Sequence, residues 1–193
     1  MYEHLIVEKH GAVRVITLNR PHVLNALNRE MRRELTEAFV KANHDDEVGS
    51  IVLTGSGERA FAAGQDLNEA KEFTPERAHT WIDEFFALYS ALRNLDKSVV
   101  AAVNGYAVGA GLQIALLTDL RIASERAQLG MPEIHDGIPC ITGTWTLWDI
   151  IGRSRTEDLV LTGRLLGAQE ALQWGLVNRV VPSADVVPVA LRL

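Results

Sequence analysis

The sequence predicts an α/β domain, and three observations carry that prediction: short apolar runs of strand length, longer segments with apolar residues at helical spacing, and their repeated alternation. The 193 residues are 47% hydrophobic, enough for one substantial core and a single domain over 1–193. Residues 5–8 and 13–18 are β-type runs separated by His10-Gly11, which reads as a hairpin turn, and Asn19-Arg20-Pro21 ends the second run. From Asn28 to about Ala42 the residues Met31, Leu35, Ala38 and Phe39 recur at helical spacing, with Asn28 as the N-cap. Ser50-Ile51-Val52-Leu53-Thr54 is a short apolar run of the kind found in buried strands, and Gly55-Ser56-Gly57 closes it. Residues 98–103 form a second buried strand. Between the two, Thr74-Pro75-Glu76 supplies an N-cap, a proline at the first helical position and an acid in the first turn, ahead of Trp81, Phe85, Leu88 and Leu92. The alternation continues with a helix after Gly109, strands near 120–123 and 127–129, helices near 144–151, 156–161 and 168–174, and a strand at 177–181. No internal repeat is visible. Val186-Val187-Pro188-Val189-Ala190-Leu191 reads as the opening of one more helix, so the chain is expected to be truncated.

Composition narrows the function. With 25 acidic against 19 basic residues the formal net charge is -6, and no Lys/Arg-rich run supplies the footprint of a nucleic-acid binder. The single cysteine, Cys140, excludes an internal disulfide, and residues 1–10 lack the apolar core of a signal peptide, so a cytoplasmic protein is expected. No apolar run is long enough to cross a membrane, and no membrane partner is expected. The histidines at 4, 10, 22, 44, 79 and 135 are scattered, and no metal is expected.

Two segments carry the chemistry: Ala60-Phe61-Ala62-Ala63-Gly64-Gln65-Asp66-Leu67 and Asn104-Gly105-Tyr106-Ala107-Val108-Gly109-Ala110-Gly111-Leu112-Gln113. Both read as small-residue turns after a strand. Small side chains let a ligand approach the main chain, and two N–H groups from separate turns could clasp one carbonyl oxygen and hold the charge that develops on it. Each such donor is worth about 3 kcal/mol of barrier in related oxyanion holes.

Together with Met131-Pro132-Glu133-Ile134 and Gly137-Ile138-Pro139, these segments resemble the enoyl-CoA hydratase/isomerase (crotonase) family. The resemblance runs from Asn19-Arg20-Pro21 and Asn25-Ala26-Leu27 to Leu161-Thr162-Gly163 and residues 171–177. It implies a crotonase-like ββα-superhelix (spiral) core with the C-terminal helical region largely missing, and a homotrimer or hexamer if the short C-terminus permits one. It also implies an acyl-CoA substrate, with coenzyme A as part of the substrate and no separate cofactor. The backbone N–H groups of Gln65 and Ala110 would form the oxyanion hole, with Ala110 standing where glycine is usual. Coenzyme A would run past Val23, Ala26, Ala63, Asp66 and Leu67.

The family's two catalytic glutamate positions are occupied here by Gln113 and Glu133. Gln113 can orient water but cannot take its proton. A lone carboxylate suffices to remove a proton from one carbon and return it two carbons away while the N–H pair holds the dienolate. Isomerisation of an enoyl-CoA double bond is therefore the expected reaction, with hydration next and a non-catalytic acyl-CoA-binding protein as the alternative. His135, Asp136, Cys140 and Thr142 are secondary candidates for shaping the acyl pocket. The Gly137-Ile138 stretch lacks the nucleophilic aspartate of the family's dehalogenases, and no GxSxG suggests a peptidase.

Overall fold

The computed structural model of the chain describes residues 1–71 and 74–193, without the side chains of Pro75, Glu76 and Ile141. Strands β1 (Leu5–His10) and β2 (Val13–Leu18) pair antiparallel, as the turn at His10-Gly11 requires. Helix α1 (Arg29–Asn43) starts where Asn28 Oδ1 accepts the Met31 N–H at 3.0 Å. After β3 (Ser50–Gly55) come the three-residue strand β4 (Ala60–Ala62) and a single helical turn α2 (Leu67–Ala70). Helix α3 (Pro75–Arg93) is capped by the Thr74 hydroxyl, which accepts the Arg77 N–H. The acid expected in its first turn, Glu76, lies outside the described side chains.

The same order then recurs. β5 (Ser98–Val103) is followed by β6 (Tyr106–Val108) and α4 (Ala110–Leu116), and β7 (Leu120–Ser124) by β8 (Gln128–Gly130). A 3₁₀ turn at Pro132–Asp136 leads into α5 (Ile141–Ile151) and α6 (Arg153–Thr162). β9 (Leu165–Gly167), α7 (Ala168–Gln173), β10 (Arg179–Val181) and α8 (Val186–Ala190) complete the chain, the last helix lying where the apolar C-terminal run predicts one.

The strands sort into two sheets. One has the order β1-β2-β3-β5-β7-β10 and is parallel from β2 onward, and the other has the order β4-β6-β8-β9. β3, β5 and β7 are each followed by a short strand in the second sheet and then by a helical segment. This is the ββα spiral, a geometric repeat that leaves no repeat in the sequence. The two small-residue segments therefore are more than turns, because their first halves are the strands β4 and β6.

Both faces of the main sheet are covered, which is why its strands read as unbroken apolar runs. One face, with Ile16, Leu18, Leu53, Ala101 and Val103, packs toward the helices and the second sheet. The other, with Val15, Val52, Val100 and Ile122, is covered by Val186 and Ala190 of α8.

Candidate active site

The two segments meet. A Cβ built on Gly64 would lie 2.9 Å from the Val108 carbonyl oxygen and 3.3 Å from the Ala110 nitrogen, so glycine is required for this approach, and its φ of +89° also favours glycine. Gly109, at φ +53° and ψ −129°, turns the chain from β6 into α4, and a Cβ there would stand 3.4 Å from Glu133 Oε1. Gly64, Ala110 and the Glu133 carboxyl thus share one small space.

Gln65 is aimed by an isolated parallel bridge to Leu27. Leu27 donates its N–H to the Gly64 carbonyl at 2.8 Å and accepts the Asp66 N–H at 3.2 Å. In such a bridge the N–H of the middle residue points away from the partner strand. Among the described residues neither the Gln65 N–H nor the Ala110 N–H donates to a protein acceptor. Ala110 opens α4 without a positive φ, so alanine fits there.

A charged cluster holds the Gln65 side chain. The guanidinium of Arg32, buried on α1, donates to the Leu27 carbonyl (3.0 Å), Gln65 Oε1 (3.3 Å), Glu69 (3.0 Å) and Glu84 (2.6 Å), and lies 4.9 Å over the Phe85 ring. Trp81 Nε1–H adds a second bond to Gln65 Oε1 at 3.0 Å. Sequence reading missed Arg32, although it lies three and seven residues before Leu35 and Phe39 and so falls on the same buried stripe.

Glu133 sits in the 3₁₀ turn after β8. Its Oε1 accepts from Gln113 Nε2 at 3.3 Å, and Gln113 Oε1 in turn accepts the Tyr89 hydroxyl at 2.7 Å. Glu133 Oε2 is buried and has no hydrogen-bond partner among the described residues. Burial raises the Glu133 pKa above the ordinary carboxyl value, with Asp136 adding to it, although its own backbone, the nearby Cys140 thiol and the bond from Gln113 pull the other way. Burial and the neighbouring Glu133 also push the Cys140 thiol up to about 11. Cys140 therefore stays a thiol beside the carboxyl, whereas His135, Asp136 and Thr142 are exposed.

The residues implied for coenzyme A form one surface of two loops. Ala63 donates to the Leu24 carbonyl at 2.9 Å, and the Arg20 guanidinium ties the Ala26 carbonyl (2.7 Å) to Asp66 (2.8 Å). Val23 is half-buried and Leu67 is half exposed beside them. The Asp66 carboxylate is committed to the fold. Burial alone would raise its pKa, but Arg20 and the Asn68 N–H it caps hold it below the ordinary value. A groove of about 610 Å³ lies elsewhere, between the β1–β2 hairpin and the end of α1, and the Arg14–Asp45 ion pair along it spans 2.7 Å.

The enoyl-CoA hydratase/isomerase family model matches residues 8–193. The chain belongs to the enoyl-CoA hydratase/isomerase family. It is 42% identical over 187 residues to a probable enoyl-CoA hydratase of Mycobacterium bovis, covering 96% of this chain and 72% of that one. It is 39% identical to the short-chain-enoyl-CoA hydratase of Clostridium acetobutylicum, over 98% of this chain and 73% of that one. The crystal structure of an enoyl-CoA hydratase from Bacillus anthracis superposes with a TM-score of 0.95 at 34% identity, over 98% of this chain and 74% of that one. Family membership makes the chain an enzyme of the hydratase or isomerase type, and the crotonase-like spiral follows from both the topology and the superposition.

Proposed function

We propose that this family member moves the double bond of an enoyl-CoA from the 3,4 to the 2,3 position. Glu133 Oε2 removes a proton from C2, the Gln65 and Ala110 N–H groups hold the thioester oxygen of the dienolate, and the same carboxyl returns the proton to C4. The observation that carries the reading is Gln113. An amide, which cannot take a proton from water, occupies the second glutamate position, and the Tyr89 hydroxyl already engages one lone pair of its carbonyl oxygen. A raised pKa suits Glu133 to both halves of the shuttle, since it must accept a proton and then release it.

Coenzyme A is taken to run past Val23, Ala26, Ala63 and Leu67, with Asp66 contributing structure rather than a free carboxylate. The proposed reaction needs no metal and no separate cofactor. A trimer or hexamer is inferred as the assembly, supported by the exposed apolar side chains of Phe86, Ile134, Trp145 and Leu161. A cytoplasmic location is inferred from the lone Cys140, which permits no internal disulfide.

The second reading is hydration, favoured by the names of the mycobacterial and clostridial relatives. It would ask Glu133 alone to activate water and to supply the proton at C2. Incubating the protein separately with a 3-enoyl-CoA and a 2-enoyl-CoA and analysing products decides between them. The isomerase reading expects conversion of the first to a 2-enoyl-CoA, and faster turnover of the second to a hydroxyacyl-CoA defeats it.

A further inference from the structure

Helix α3 reaches both turns. Trp81, Phe85 and Tyr89 stand four residues apart, with ring centroids separated by 5.4 Å and then 5.5 Å. At one end of this ladder Trp81 holds Gln65 Oε1, and at the other Tyr89 holds Gln113 Oε1. We propose that Tyr89 is a positioning residue for proton transfer: by occupying the Gln113 carbonyl oxygen it turns the amide NH₂ toward Glu133 Oε1 and leaves Oε2 as the oxygen that takes the substrate proton. The inference rests on Glu133 being the base.

The amide has two ends and an ionised carboxylate can only accept. With the amide reversed, two acceptors would face each other at 3.3 Å, so the carboxylate selects the orientation, and the Tyr89 hydroxyl holds it by donating to the amide oxygen. Tyr89 can serve because it stays protonated. Burial, with Glu133 and Cys140 nearby, pushes its phenol far above the ordinary value, and Arg32 opposes this only in part. The ionisable groups bearing on Glu133 are Asp136 in its own turn, Cys140 before α5, and Tyr89 from α3, while α4 presents the neutral Gln113. A hydroxyl lost here would free the Gln113 carbonyl and let the amide rotate. Glu133 would then lose the donor that steadies its ionised form.

The test compares Tyr89→Phe, Gln113→Leu and the double variant on the substrate that the protein turns over. For Tyr89→Phe, kcat should fall about tenfold, the loss expected for one buried hydrogen bond, while KM stays near wild type. The acid limb of the pH profile should move to higher pH, because the ionised carboxylate is less well held. The double variant should be no slower than Gln113→Leu alone, since Tyr89 acts only through Gln113. A wild-type rate and pH profile in Tyr89→Phe, or losses that multiply in the double variant, would overturn the proposal. Should Tyr89→Phe fail to fold, an unshifted acid limb in Gln113→Leu overturns it equally. Glu133→Gln separates the two ideas. If that variant stays active the base assignment fails, whereas an inactive Glu133→Gln beside an unchanged Tyr89→Phe defeats only the role of Tyr89.

Discussion

The two turns that meet at Gly64 and Ala110 are held in opposite ways. The first is fixed by charge: Arg20 on Asp66 beside it, Arg32 with Glu69 and Glu84 on the Gln65 side chain, and a backbone bridge to Leu27. The second is fixed by neutral groups and ends on a carboxyl with one oxygen unpaired among the described residues. The difference teaches where each kind of interaction is useful. Ion pairs stiffen a turn that has only to aim an N–H, and they are kept from the carboxyl, where a nearby cation would lower the pKa that proton transfer needs.

The largest effect should come from the neutral side. Glu133→Gln should reduce turnover by about a thousandfold, within the range for loss of a general base. Its stability should move the other way. Burial raises the folded-state pKa of Glu133 above the ordinary 4.5, so between that value and the raised one the folded chain binds more protons than the unfolded one. Wild-type stability therefore falls as pH rises through that window. Urea denaturation should find Glu133→Gln more stable than wild type at neutral pH, with the advantage gone below the ordinary carboxyl pKa. A variant less stable at neutral pH would break the comparison, because it would mean the carboxylate is favourably held.

Gly64→Ala should come next. The added methyl would press on the Val108 carbonyl at 2.9 Å and adopt a positive φ, forcing the two turns apart. A loss of about a hundredfold in kcat, the scale of one oxyanion-hole donor, is expected with only about 1–2 kcal/mol lost in stability. Arg32→Met tests the charged side and should be the mildest in rate. Glu69 and Glu84 would lose their shared cation but remain about one-fifth exposed, so about 2–3 kcal/mol of stability is expected to go. Turnover should fall roughly tenfold, since Trp81 and the Leu27 bridge still aim Gln65. If Arg32→Met were as damaging to kcat as Glu133→Gln, the cluster would be acting on the chemistry and not on the scaffold.

Much of this was legible in the sequence because the long elements obey simple periodicities. The cap at Asn28, the apolar runs of β3 and β5, and Thr74 ahead of α3 appear where residue chemistry puts them. Of the second sheet only β8 was legible, as the strand expected near 127–129. β4, β6 and β9 are three residues long, too short for period-two alternation to register, and the small residues of β4 and β6 read as turn. The spacing of Glu133 behind its Met-Pro pair and the amide at Gln113 were visible, but their mutual 3.3 Å contact depends on how β6 and β8 pair. Tyr89 follows Phe85 by one helical turn, and nothing in that spacing marks it out. Only the folded chain shows that its hydroxyl has a polar partner, just as only the fold reveals that Arg32 is buried among acids contributed by two other helices.

The bridge between Leu27 and Gln65 also sets different clocks on neighbouring protons. The N–H groups of Leu27 and Asp66 are locked into it and can exchange with solvent deuterium only when the two loops separate. The N–H between the latter and Gly64, belonging to Gln65, has no protein acceptor among the described residues, and its exchange follows how wet the cleft is. A thioester oxygen seated there would slow that one proton while leaving its neighbours unchanged. Site occupancy is thus written into the Gln65 amide, as into its counterpart on Ala110, whose lifetimes distinguish an empty cleft from a filled one without any turnover.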